Sequence, residues 1–220
     1  MKRGFGTNFH TVYKNNADLY DVFSSSEIFS DKLTNRVREL FHGDILLDVA
    51  CGTCHKTNLF SKYFKKAYAL DISESLLSYA RDKYKKNNKI NYLLSSASKI
   101  PLLDNSVDTI FISWGSFPLS KTLKEMNRVL VPGGVIIRIG IEGRDNFTEL
   151  FPNLDLKRVK RIQKKFESFG FFREDYTVDI KFDSIKQAQY ILSRILGVNK
   201  KLVTSNSFIN NVVLLYYKKQ

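Results

Sequence analysis

From residue 45 onward the apolar positions switch repeatedly between continuous runs and helical spacing. Residues 45–49 read Ile-Leu-Leu-Asp-Val, an apolar run holding one acid, Asp48, and they lead into the small residues Ala50-Cys51-Gly52-Thr53-Cys54. Leu59, Phe60, Tyr63 and Phe64 then recur at helical spacing, so strand, tight turn and helix (58–64) are expected in that order. The alternation repeats with a short strand at 67–70 ending in Asp71 and a helix at 76–84, which Ser73 caps and whose buried side carries Leu76, Leu77 and Ala80. A strand at 90–94, another at 107–113 and a helix at 121–131 follow. A fifth strand at 135–141 is entered through the turn Pro132-Gly133-Gly134. Strands and helices in this rhythm imply a parallel sheet with helices on both faces and right-handed crossovers.

The two ends break the rhythm. Residues 1–26 are polar with scattered aromatics, among them Phe5, Phe9, Tyr13 and Tyr20, which suits either an N-terminal arm or a lid over a pocket. From Ser26 the positions Ile28, Phe29, Leu33, Val37, Leu40 and Phe41 predict a helix ending near His42-Gly43. After Gly140 come a polar loop at 141–151, a basic helix at about 154–169, a strand at 171–182, a helix at 184–196 and a last strand at 211–217. The expected total is seven strands, mostly parallel, with the last antiparallel.

Composition narrows the class. With 43% hydrophobic and 26% charged residues the chain is an ordinary globular protein rather than a disordered one. No apolar run approaches the roughly 18 to 20 residues that span a bilayer, and residues 1–7 lack the apolar stretch of a signal peptide. A soluble, cytoplasmic protein with no membrane partner is the expectation, and two cysteines in one turn fit a reducing compartment. The net charge of +13 would attract acidic partners such as RNA. Its clusters at 62–66, 81–89 and 157–165 fall on expected amphipathic helices or their exits, so solvated helix faces compete with a polyanion surface.

The turn at 50–54 carries the first chemistry. It places backbone N–H groups at a helix N-terminus beneath the carboxyl ends of parallel strands, where open α/β sheets bind ligands. Three further stretches match one family in order and spacing. They are Tyr68-Ala-Leu-Asp71-Ile-Ser73, Ile100-Pro101-Leu-Leu-Asp104-Asn105-Ser106-Val-Asp108 and Leu123-Lys-Glu-Met-Asn-Arg-Val-Leu-Val-Pro132-Gly133-Gly134. With the turn, they resemble the class I S-adenosylmethionine-dependent methyltransferases. The likeness is to the small type 11-like members, with their hhDhGCGTG-like and LPFPDNSFD-like segments, and it is strong over residues 40–140.

The resemblance implies a Rossmann-like sheet in one methyltransferase domain over residues 1–220. Residues 40–140 would hold the cofactor, 1–30 would form the arm or lid, and 141–220 would face the substrate. It implies S-adenosylmethionine as cofactor and a direct methyl displacement onto an O, N or C nucleophile. Ala50, Cys51 and Gly52 would let the backbone approach the methionine end, and Asp48 would reach its ammonium. Asp71 would accept from the ribose hydroxyls, Ile72 would pack on the adenine, and Ser96 and Ala97 would stand at its edge. Tyr20 would lie over the cofactor, and Ser113 would stand beside the sulfonium.

Ala50 and Cys54 replace glycines of the family signature, and Ser96 replaces its usual acid, which leaves a hydroxyl to meet the adenine amine. Acceptor-side candidates are Tyr13, Trp114, Gly115, Glu142 and Arg144, with His10 and Asp145 in the same segments. No catalytic residue is assigned, because in-line displacement can rest on positioning alone.

Rival readings remain at this point. Cys51 and Cys54 form a CxxC, which can mark a redox pair or half a zinc site, but His10, His42 and His55 are scattered, so no metal is expected. A dinucleotide site lacks its GxGxxG fingerprint. The sequence after the fourth strand, Ser113-Trp114-Gly115-Ser116-Phe117-Pro118, differs from the Asn-Pro-Pro-aromatic group of adenine-amine methyltransferases. A small-molecule acceptor is favoured by the absence of an appended RNA-binding module. An RNA or protein acceptor on the basic surface, and a non-catalytic S-adenosylmethionine-binding protein, stand as alternatives.

Overall fold

Helix α1 (Ala17–Ser26) runs straight into a short strand, β1 (Glu27–Phe29), and then a second helix, α2 (Asp31–Glu39), in the computed structural model, which describes residues 15–115, 117–152 and 154–220. Next come β2 (Ile45–Val49), α3 (His55–Ser61), β3 (Lys66–Asp71), α4 (Glu74–Lys83), β4 (Ile90–Leu94), β5 (Val107–Ser113) and α5 (Leu119–Val129). The chain continues through β6 (Leu130–Ile141), α6 (Leu156–Glu167), β7 (Phe172–Lys181), α7 (Ile185–Ile195) and β8 (Ser207–Lys218).

These strands share one sheet in the order β1-β7-β8-β6-β5-β2-β3-β4. Neighbours from β6 to β4 pair in parallel, whereas β8 lies antiparallel between β6 and β7, and β1 lies antiparallel on β7. Helices cover both faces, which is why the parallel strands are apolar on both sides. Leu123, Met126 and Val129 of α5 and Phe166 of α6 pack on one face. Leu33 and Val37 of α2 and Phe60 of α3 pack on the other, where Phe60 meets Phe111 edge-on at 5.1 Å. Chain order runs from β2 outward to β3 and β4, and from β5 the opposite way to β6. The reversal opens a crevice at the carboxyl ends of β2 and β5, the usual ligand position in such sheets.

Three departures from the sequence pattern matter for function. The eighth strand is β1, formed by residues whose apolar spacing predicted helix. That helix starts only at Asp31, where the Ser30 hydroxyl accepts from the Leu33 N–H at 3.2 Å. Glu27 and Phe29 instead pair with Ile180 and Val178 of β7, a partner too far along the chain for local periodicity to reveal. Secondly, α3 begins at His55, so Lys56 and Thr57 lie in its first turn and are buried. Thirdly, β6 begins ahead of the Pro132 turn. Its partners jump from Leu130 opposite Val107 to Val135 opposite Thr109, so that turn is an interruption within the strand.

Candidate active site

Alternate residues of the turn between β2 and α3 hold left-handed backbone: Ala50 at φ 60°, Gly52 at 59° and Cys54 at 61°. Such a conformation costs a non-glycine residue roughly 1 to 2 kcal/mol, so Ala50 and Cys54 both store strain. The curl turns N–H groups inward. Cys51 donates to the Leu70 carbonyl at 3.1 Å, and Gly52 donates to Asp71 Oδ2 at 2.9 Å. A Cβ on Gly52 would sit 2.7 Å from Tyr20 Cε1, so the Tyr20 ring of α1 covers the turn. Gly52→Ala is therefore expected to lower stability by about 1 to 2 kcal/mol and to push Tyr20 away. Denaturant melting checks the first effect; an unchanged midpoint would contradict the close contact.

Two acids close the floor. Asp48 is 2% exposed, and its Oδ2 accepts from the Thr57 hydroxyl at 2.5 Å. Burial pushes its carboxyl up to about 7; the Thr57 bond opposes this and the nearby Asp71 adds to it. Asp71, at the end of β3, also accepts from the Ser73 N–H at 2.9 Å through Oδ1. Ile72 beside it is 59% exposed, a large apolar side chain facing outward at the strand end. Ser96 places its hydroxyl 2.9 Å from that of Ser98, and Ala97 is buried in the core under α5.

Beyond the turn lies a cavity of about 120 Å³, the order of size that takes a single small ring. It is lined by Asp48, Ala50 and Cys51 of the strand end and turn, by Tyr20 and Phe23 of α1, by Ser113 and Trp114 at the end of β5, and by Phe147, Ile180 and Leu196. Ser113 Oγ is buried without a hydrogen-bond partner among the described residues. Trp114 holds a left-handed φ of 60° and donates its backbone N–H to the Ile139 carbonyl. Gly115 sits where a Cβ would meet Phe117 at 2.8 Å and Ile112 at 2.9 Å. Glu142 and Arg144 do not line the cavity: Glu142 accepts from Arg173 at 3.0 Å, and Arg144 is exposed. Tyr13 and His10 lie outside the described residues.

The cavity also gathers three polar residues that the sequence reading did not single out for it: Glu27, His55 and Lys56. Trp114 Nε1 donates to Glu27 Oε1. Lys56 Nζ lies 3.4 Å from Glu27 Oε2, donates to the Glu27 carbonyl at 2.8 Å and stands 3.9 Å from the Phe29 ring centre. Burial pushes the Glu27 carboxyl up and the Lys56 ammonium down, each opposed by the other's charge. Burial, then Lys56 and Lys83, lower His55 to about 4, so its imidazole is neutral at neutral pH. No signal marks Glu27, whose neighbours read as helix. Lys56 was detectable, since it stands four residues before the buried Phe60 and so shares its helix face.

The CxxC thiols touch each other, with Sγ atoms 3.5 Å apart, and burial holds Cys51 well above the ordinary thiol range. A protonated thiol is a poor nucleophile and metal ligand. No group of three potential metal ligands exists among the described residues.

Comparison with known proteins bears on this architecture. Residues 47–138 match the methyltransferase domain family. A demethylmenaquinone methyltransferase of Staphylococcus haemolyticus is 35% identical over 139 residues, covering 58% of this chain and 58% of the relative. The chain thus spans less than two thirds of the length of the curated relatives it matches. Among solved structures, an S-adenosylmethionine-dependent methyltransferase from Aquifex aeolicus superposes with a TM-score of 0.56 at 23% identity, over 90% of this chain and 97% of that one. The [4+2]-cyclase SpnF superposes with 0.59 at 15% identity, over 94% and 96%. The same fold therefore serves more than one reaction, and it is the matched domain that narrows the class. Over residues 47–138 the chain is similar to that methyltransferase domain family, and its sheet has the fold of the S-adenosylmethionine-dependent methyltransferase from Aquifex aeolicus.

The residues present fit that cofactor. Asp48 is a buried acid whose hydrogen-bond partner among the described residues is a neutral hydroxyl, which suits the ammonium of a methionine end. Ser113 Oγ awaits a partner, and the exposed Ile72 offers an apolar face beside Asp71. No described helix is long and apolar enough to cross a membrane.

Proposed function

We propose that this protein transfers a methyl group from S-adenosylmethionine to a small, apolar acceptor. The observation that carries this reading is the cavity itself, continuous from the strained turn and Asp48 to an apolar wall of Phe23, Phe147, Ile180 and Leu196. A polymer would need an open basic groove, whereas this wall is aromatic and aliphatic. The curated relatives are named for a demethylmenaquinone, which also supports an apolar acceptor here. S-adenosylmethionine supplies an electrophilic methyl on a sulfonium. Asp48 would hold the ammonium, Asp71 the ribose and Ile72 the adenine face, while Ser113 and Trp114 border the line of transfer.

Calorimetry with S-adenosylmethionine and with its demethylated product tests the first half. Tight binding of both is expected, and binding of neither would remove the donor site. Methyl-labelled donor incubated with the protein and a cell extract tests the second half. Label is expected in the organic-soluble fraction, and label confined to RNA or protein would overturn the small-molecule reading.

A further inference from the structure

Glu27 and Lys56 line the cavity without any part in the donor floor. Their side chains are 8% and 10% exposed; Phe23, Trp114 and Ile180 line the same cavity, and Lys56 lies against the Phe29 ring. A buried ion pair in such surroundings adds little to stability over apolar packing, so its placement here needs another reason. The edge strand β1 brings Glu27 in, and the first turn of α3 brings Lys56 directly after the donor turn. Each thus couples the acceptor end of the cavity to its donor end.

We propose that Glu27 takes the proton of the acceptor while Lys56 holds the oxygen that loses it, so that the acceptor is an apolar molecule bearing an acidic hydroxyl of phenol or enol type. This rests on the methyl-transfer reading above. A protonated amine would meet the Lys56 charge, and a thioether would bring no proton for Glu27; a hydroxyl uses both groups. The O–H bond breaks and its proton stays on Glu27. The electron pair released forms the bond from the acceptor to the methyl carbon, the carbon–sulfur bond breaks with its pair left on sulfur, and Glu27 returns the proton to solvent as product leaves. Glu27 contacts Lys56 of α3 and Trp114 after β5, and the other titratable groups lining the same cavity are His55 of α3, Asp48 of β2, Cys51 of the turn and Tyr20 of α1. With His55 neutral, Lys56 is the cation beside it. Burial raises the proton affinity of the Glu27 carboxylate, so the acceptor's proton reaches it at small cost.

Trp114 is the only tryptophan in the chain, and its indole bonds Glu27, so intrinsic fluorescence reports on this group directly. Phenol and anisole, in which a methyl group replaces the hydroxyl proton, are the probes. Calorimetry is expected to show phenol binding the wild-type protein about tenfold more tightly than anisole, the worth of one hydrogen bond to a charged group. That preference should vanish in the double variant Glu27→Gln/Lys56→Met, which leaves no unpaired buried charge. Equal binding of the two probes by wild type overturns the assignment. So does a pH titration of Trp114 emission that lacks an inflection above the usual carboxylate range, or one that is unchanged in the double variant. Donor affinity should be the same in both proteins. Its loss in the double variant would move the pair to the donor site and overturn the proposal, whereas its absence in wild type would defeat the methyl-transfer reading itself.

Discussion

Asp48→Asn is expected to stabilise the protein above neutral pH while removing donor binding. The Asp48 carboxyl rises from an ordinary 3.8 to about 7 in the folded chain. Between these values the native state binds a proton that the unfolded state has released, so stability falls as pH rises through the window. The cost is complete above about 7 and absent below about 4. A shift of about three units corresponds to on the order of 4 kcal/mol. Asparagine keeps an acceptor for Thr57 and carries no charge to desolvate. Denaturant melts of both proteins across this range should diverge with rising pH in favour of the variant. A constant difference at all pH values would mean that Asp48 ionises normally. Donor binding by wild type should tighten over the same interval, because the ammonium pairs with the ionised acid.

The second large effect concerns the Glu27–Lys56 pair. Lys56→Met alone is expected to cost about 3 to 5 kcal/mol, because it strands a carboxylate 7% exposed beside Trp114. Glu27→Gln alone should be costly in the same way, by stranding the ammonium. The double variant should lie within about 1 kcal/mol of wild type, since apolar and neutral groups then fill the same space. Chemical denaturation of the four proteins gives the coupling energy directly. Additive losses would show that the two side chains act independently and that the contact does not matter.

Much of the fold was legible because its determinants are local. The runs 45–49 and 107–113 coincide with β2 and β5, central strands whose burial on both faces favours mostly apolar residues, and 90–94 coincides with the edge strand β4. Asp48, Asp71 and the turn stood out because an acid inside such a run, or small residues directly after it, conflicts with packing alone. Ala50 and Cys54, which stand where the family signature has glycine, both hold a left-handed φ. A glycine replaced by a residue with a Cβ keeps the backbone angle the turn requires and carries its strain.

Other features were closed to any local reading. Glu142 and Arg144 sit in a segment expected to roof the pocket, yet Glu142 turns to Arg173 and Arg144 to the surface. Nothing in the sequence of that loop specifies which way its side chains turn. Period and turn chemistry act within a few residues, so the sequence by itself determined the βα rhythm, the turn between β2 and α3 and the acids Asp48 and Asp71 beside it. The path of β1 onto β7, the inward swing of Lys56 and the meeting of Glu27 with Trp114 depend on contacts between residues far apart in the chain. Only the tertiary structure decided them, and with them the ion-paired part of the cavity lining.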